Sequence, residues 1–116
     1  MLNDIENVVF GGQNIVHSIT KLHFDEPTKT LLIVVTPYTE TEFNKVRRTY
    51  IFKGVKNFEY ELDPNENFEA WPRSIIGMDY YPGRIIEKWN TVINCGDIEF
   101  TFFAPELPAL VEAENA

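Results

Sequence analysis

Two histidines are the first residues of this chain that chemistry would use. His17 and His23 lie six positions apart in a segment of alternating residue types, which predicts a β-strand with both rings on one face. Six strand residues separate two side chains by about 20 Å, too far to share one metal ion. No spacing of histidine, cysteine and carboxylate residues typical of a zinc site occurs. The sequence therefore predicts no metal site and no cofactor.

The nucleophiles and carboxylates give no clearer sign of catalysis. Cys95 lies in a predicted tight turn beside Asp97, and a neighbouring carboxylate disfavours the thiolate that a nucleophile needs. Glu59 and Glu61 share a strand face about 7 Å apart, a spacing open to acid–base chemistry but also typical of a solvated face. No serine stands in a nucleophile-elbow motif, and Gly-rich phosphate loops are absent from the sequence. We therefore expect no catalytic residues.

One acidic segment remains as a candidate site. Residues 59–69 hold five acids and no base, with aromatic residues interleaved or adjacent. Rings supply desolvated anchors at protein interfaces, and charges supply steering and specificity. The alternative is a solvated strand and loop with the tryptophan in the core. The predicted partner-binding residues are Glu59, Tyr60, Glu61, Asp63, Glu66, Glu69 and Trp71.

The charge of the chain narrows the class of partner. Eighteen acids against ten bases give a net charge of −8, which argues against direct binding to nucleic acid or to an anionic membrane. An acidic protein is steered towards basic partners instead. The longest apolar run, residues 31–35, is far too short to span a membrane. The sequence predicts a cytoplasmic protein with a basic protein partner, and it leaves the oligomeric state open.

The elements that position these residues are predicted to be β-strands. Aromatic residues make up 14% of the chain, and they favour a pleated, half-buried surface. About seven short strands, including two hairpins, predict a mainly β fold: an antiparallel sheet curled into a sandwich or open barrel. A short helix within residues 1–13 is expected to cover one end, and an α+β fold is the alternative. The predicted strands are residues 14–24, 30–36, 47–53, 55–62, 74–81, 84–94 and 98–103.

The chain is predicted to form one domain over residues 1–116. Its length suits a single domain of about 100–150 residues, and no internal repeat or low-complexity block divides it. Pro105 and Pro108 interrupt the end of the sequence, so residues 105–116 are expected to be irregular.

Several segments together resemble a known class of protein. A short N-terminal segment ends in Phe10-Gly11, with His17 opening a hairpin soon after. A later strand ends in Phe52-Lys53-Gly54-Val55, and the chain closes on Gly96-Asp97-Ile98-Glu99-Phe100. In architecture, size and charge, across most of its length, the chain is similar to several families of small acidic immunity proteins of bacterial toxin–immunity systems. The resemblance implies a cytoplasmic inhibitor that binds a cognate toxin, often a basic nuclease. The resemblance assigns no functional role to any individual residue of this chain.

Two other functions stay open. Acidic β proteins of this size include phage-type inhibitors that imitate nucleic acid, but those would spread their acids over a long face instead of bunching them. A small enzyme or ligand-binding barrel is the other alternative, with a mouth lined by His17, Tyr50, Tyr60 and Trp89. A deep cavity with a histidine close to a carboxylate would favour that function.

Overall fold

The computed structural model describes residues 16–38, 46–82 and 88–115, together with Val9. Nine strands lie in these ranges, and they form two antiparallel sheets. The strands are β1 (Val16–Asp25), β2 (Thr30–Tyr38), β3 (Val46–Lys53), β4 (Lys56–Leu62), β5 (Arg73–Ser74), β6 (Gly77–Tyr80), β7 (Thr91–Asn94), β8 (Ile98–Phe103) and β9 (Ala109–Asn115).

The two sheets are separate, so the described strands do not close into a barrel. The five-stranded sheet has the order β5-β1-β2-β3-β9, and the four-stranded sheet has the order β4-β8-β7-β6. The hairpin predicted around the turn at residues 25–29 is confirmed as β1–β2, and the hairpin joined by residues 95–97 is confirmed as β7–β8. The mainly β prediction is therefore confirmed, with the strands arranged as a two-sheet sandwich.

Alternation of residue types builds the core between the sheets. In β8, Ile98, Phe100 and Phe102 are buried while the residues between them are half-buried. The buried residues of β2 face the same interior. There the ring of Phe52, on β3, meets the ring of Phe102, on β8, edge-on with centroids 5.0 Å apart. Burial of such apolar side chains contributes about 1.5–3 kcal/mol each, so this shared core holds the sheets together.

A β-bulge in β1 makes one prediction wrong. The register with β2 shifts between Ile19 and Lys21, so Thr20 is an extra residue. Before the bulge His17 is fully buried on the core side, whereas beyond it His23 is exposed on the outer side. The two histidines therefore do not share a face, because an inserted residue reverses the side-chain alternation.

The chain changes sheets in the middle of one predicted strand. The backbone N–H of Ile75 donates to His17 O (2.8 Å), while that of Ile76 donates to Asn94 O (2.8 Å). Residues 74–81 are thus divided between β5 in one sheet and β6 in the other. Of the strand predicted over residues 84–94, residues 84–87 lie outside the described residues, residues 88–90 are not strand, and β7 begins at Thr91.

The predicted irregular tail is wrong in its second half. Both prolines precede the strand, and from Ala109 the chain pairs with β3 as an edge strand. An edge position tolerates nearby prolines because only one side of the strand is hydrogen-bonded. The predicted N-terminal helix within residues 1–13 lies outside the described residues, except for Val9, which packs against the core. Within the described ranges, no helix is long and apolar enough to cross a membrane.

Candidate partner-binding surface

The outer face of the four-stranded sheet carries the first part of the predicted site. On β4 the exposed Glu59 and Glu61 point away from the core, and their partners on β8 are Thr101 and Glu99. Side chains directly opposite each other in an antiparallel pair share a face. The sequence prediction that the glutamates of β4 share an outer face is therefore consistent with the register.

Glu61 and Glu99 form a like-charge pair across the ladder. Directly opposed residues have Cβ atoms about 4.5–5.5 Å apart, and like charges in such positions destabilise a sheet. The sequence did not reveal this contact, because Glu99 lies 38 positions further along the chain and joins the site only through the β4–β8 pairing. The pair concentrates negative charge on one point of the sheet.

One further carboxylate, that of Asp79, completes the face. Asp79 lies in the same row as Glu59, Thr101 and Val92, about 14 Å from Glu59 across three strand spacings. Lys56 is opposite Phe103 on this face, about 13 Å along β8 from Glu99. No ion pair in the described part of the chain neutralises the acids of this outer face. We call this surface the acidic face: Glu59, Glu61, Asp79 and Glu99.

The turn that follows β4 carries the remaining predicted acids. The backbone N–H of Glu66 donates to Asp63 O (3.0 Å), and that of Glu69 donates to the side-chain oxygen of Asn67 (2.9 Å). The side chains of Asp63, Glu66 and Glu69 are all exposed. They form a second acidic surface, the acidic turn (residues 63–69), at the end of the strand that carries the acidic face.

The predicted aromatic residues lie on the core side of β4 instead. Tyr60 is opposite the buried Phe100, and its ring packs on Phe68 with centroids 4.8 Å apart. Trp71 is half-buried and stacks on Phe100 (6.5 Å, 14° between planes). Because β4 is an edge strand, Tyr60 stays 48% exposed. The seven predicted residues therefore lie in three places: Glu59 and Glu61 on the outer face of β4, Tyr60 and Trp71 on the core side, and Asp63, Glu66 and Glu69 in the acidic turn.

Arg73 holds the acidic turn against the sandwich. Its guanidinium lies 4.8 Å above the centroid of the Trp71 ring, and its Nε donates to both carboxylate oxygens of Asp97 (3.0 and 3.1 Å). Nη1 donates to Phe68 O (2.8 Å), and Nη2 donates to Asn67 O (2.6 Å). The arginine side chain is only 4% exposed. Trp71 thus packs against both Phe100 and the Arg73 guanidinium, which fits a structural role.

The sequence also did not predict the role of a buried asparagine, Asn90. Asn90 donates from Nδ2 to Ala104 O (2.8 Å), and its Oδ1 accepts from the N–H of Ala104 (2.9 Å) and from Thr91 Oγ1 (2.9 Å). The amide imitates one more step of the strand ladder where β8 ends. An asparagine before a strand is a weak sequence signal, because the same residue type is common in turns.

The predicted barrel mouth does not form. His17 and Tyr50 are buried in the five-stranded sheet, whereas Tyr60 lies at the exposed edge of the other sheet. Across residues 16–38, 46–82 and 88–115, no cluster of three or more histidine, cysteine or acidic side chains is arranged to hold a metal ion.

The fold and site together describe an antiparallel β-sandwich with one acidic outer sheet face. No protein-family model, curated protein or solved structure matches the chain.

Proposed function

We propose that this chain is a non-catalytic binding protein that captures a basic protein partner through the acidic face. The observation that carries the proposal is the Glu61–Glu99 pair, which places two like charges opposite each other on an exposed sheet face. Repulsion between these carboxylates lowers the stability of the unbound protein. A cationic side chain that binds between the two carboxylates relieves this repulsion.

The immunity-protein resemblance supplies the particular function. In this proposal the chain is a cytoplasmic immunity protein, and its partner is the cognate toxin, a basic nuclease. The acidic face would meet the basic groove that a nuclease uses for its substrate, and the acidic turn would extend the contact. Opposite charges would raise the association rate and disfavour wrong partners.

The dimensions of the acidic face favour a local contact over imitation of nucleic acid. Its carboxylates lie within about 14 Å across the sheet and about 7 Å along a strand. A nucleic-acid mimic is expected to need a row of charges over a longer surface. The face is large enough to hold a few lysine or arginine side chains.

Affinity capture from the source organism, followed by charge-neutralised variants, tests the proposal. The first variant is Glu59→Gln, Glu61→Gln and Glu99→Gln together, and we expect about a tenfold or greater loss of affinity for the captured basic protein. Affinity of the wild-type chain should fall as salt rises. Co-expression with the captured protein then measures protection against its toxicity.

The matched control removes the same number of charges from the acidic turn: Asp63→Asn, Glu66→Gln and Glu69→Gln. We expect this variant to lose less affinity than the first one. If both variants kept wild-type affinity, or if binding did not depend on salt, the acidic face would be only a solvated surface and the proposal would be wrong.

A further inference from the structure

A groove lies on the outer face of the five-stranded sheet, beside two β-bulges. On the outer face of the five-stranded sheet, Thr20 is the extra residue in β1, and Val111 is the extra residue in β9. Both bulges adjoin the same row across the sheet, and bulges bend strands and increase their twist. The groove beside this row has a volume of about 430 Å³. The row runs through Lys21, Val34, Thr49 and Glu112.

The floor of the groove is apolar and its two ends differ in charge. Leu32 and Val34 of β2 line the middle, and both are half-buried on the outer side of the sheet. The exposed Lys21 stands at the β1 end, and the exposed Glu112 stands at the β9 end. Their backbones are about 14 Å apart across three strand spacings.

Hydroxyl groups and a second cation complete the lining. Thr20 Oγ1 donates to Val34 O (3.4 Å), which fixes the bulge residue at the wall beside Lys21. Thr49 lies next to Val34 in the row, and Arg47 is two residues from Thr49 along β3. The groove therefore combines two apolar side chains in its middle with polar side chains around them.

We propose that this groove binds a small monocarboxylate with a short aliphatic tail. The carboxylate would lie beside Lys21, and the tail would cover Val34 and Leu32. Glu112 at the far end selects against ligands with a second negative charge, because a dianion would bring like charges together. This site is independent of the acidic face, which lies on the other sheet.

Amide NMR titrations of the whole chain with hexanoate, hexanol and hexanedioate test the proposal. We expect hexanoate to shift the amides of Thr20, Lys21, Val34 and Thr49, and to bind more tightly than the neutral alcohol or the dianion. Lys21→Met keeps an apolar stem at an exposed position and should weaken hexanoate binding about tenfold, since charge-assisted hydrogen bonds contribute more than neutral ones. Hexanol binding should not change.

The control is Lys53→Met, which removes an exposed lysine from β3 at about 13 Å from Thr49 along the strand. Hexanoate should bind this variant as it binds the wild type. Equal losses in both lysine variants, shifts confined to other amides, no hexanoate binding, or equally tight binding of hexanedioate would each overturn the proposal. The titration needs no protein partner, so its failure leaves the proposed function unaffected.

Discussion

A single buried guanidinium links the acidic turn to the sandwich. Arg73 donates to two backbone carbonyls of the turn, at Asn67 and Phe68, and to the carboxylate of Asp97 beyond β7. Its charge is compensated by a partner that is 27% exposed, so the pair is only partly removed from water. The arginine thereby sets where the acidic turn lies relative to the acidic face.

Replacing Arg73 by methionine is expected to loosen the acidic turn and to lower the free energy of unfolding by about 3 kcal/mol. Two carbonyls and one carboxylate lose their donor, and breaking a buried ion pair from one side has this order of cost. Urea denaturation measures the stability. In a Trp89→Phe background, Trp71 fluorescence reports the turn itself, because the chain has two tryptophans.

Arg73→Lys is the control for this experiment. It keeps the positive charge over the Trp71 ring but lacks the forked donors that reach several oxygens at once. An intermediate stability is expected. Equal stability of the methionine variant and the wild type would show that the hydrogen bonds of the guanidinium contribute nothing to the turn.

At the scale of elements, strand β4 is an edge strand that carries part of the acidic face. It pairs on one side only, and its register with β8 shifts between Lys56 and Glu59. Asn57 within that shift adopts a left-handed φ of 57°, and its Nδ2 donates to Lys88 O (3.0 Å). Bulges and charged side chains protect edge strands from unwanted strand pairing. In the proposed function, the same charges would meet a cationic partner.

Glu99→Gln is expected to stabilise the free protein, by up to about 1 kcal/mol, because it removes one of two like charges that face each other across β4 and β8. Denaturation at low salt measures the gain, which should shrink as salt screens the repulsion. Loss of partner affinity in the same variant would show that this part of the surface is kept for binding at the expense of stability.

Glu59→Gln serves as the matched control, since Glu59 is opposite Thr101 and not opposite an acid. It removes the same charge from the same face without relieving a directly opposed pair, so little change in stability is expected. A larger gain from Glu59→Gln than from Glu99→Gln would contradict the like-charge account.

At the scale of the whole molecule, the outer faces of the two sheets differ in charge. The four-stranded sheet presents the acidic face. The five-stranded sheet carries both signs along its outer rows: Lys21, Arg47 and Lys53 together with Asp25 and Glu112. A net charge of −8 therefore hides an uneven distribution. In the proposed function, a basic partner would be steered to the acidic face.

Two tyrosines predict how stability changes at high pH. Burial raises the pKa of Tyr50, against a smaller lowering by the Arg48 charge, and burial together with the Glu106 carboxylate raises the pKa of Tyr80. The folded protein therefore keeps these protons at a pH where the unfolded chain loses them. The free energy of unfolding should fall as the pH rises above about 10.

Denaturation curves collected across the alkaline range measure this fall. The double variant Tyr50→Phe and Tyr80→Phe should show a smaller decrease, because neither ring can then ionise. A decrease of the same size in the variant and the wild type would assign the alkaline loss of stability to other groups.

The amino-acid sequence by itself determined the local features of this fold. Alternation of residue types located the strands of both hairpins, and turn residues at 25–29 and 95–97 located their reversals. Such patterns depend only on residues close together in the sequence. They therefore predict strands and turns without knowledge of which strands pair. The apolar run of β2 lies at the centre of the five-stranded sheet, as its composition favours.

Only the tertiary structure decided which residues share a surface. The bulge at Thr20 reversed the face of His17, and strand pairing brought Glu99 opposite Glu61. The edge strand β9 follows a proline-rich segment that local rules assign to irregular structure. Register, bulges and edge pairing depend on contacts between residues far apart in the chain, and local periodicity contains no information on which of those contacts form.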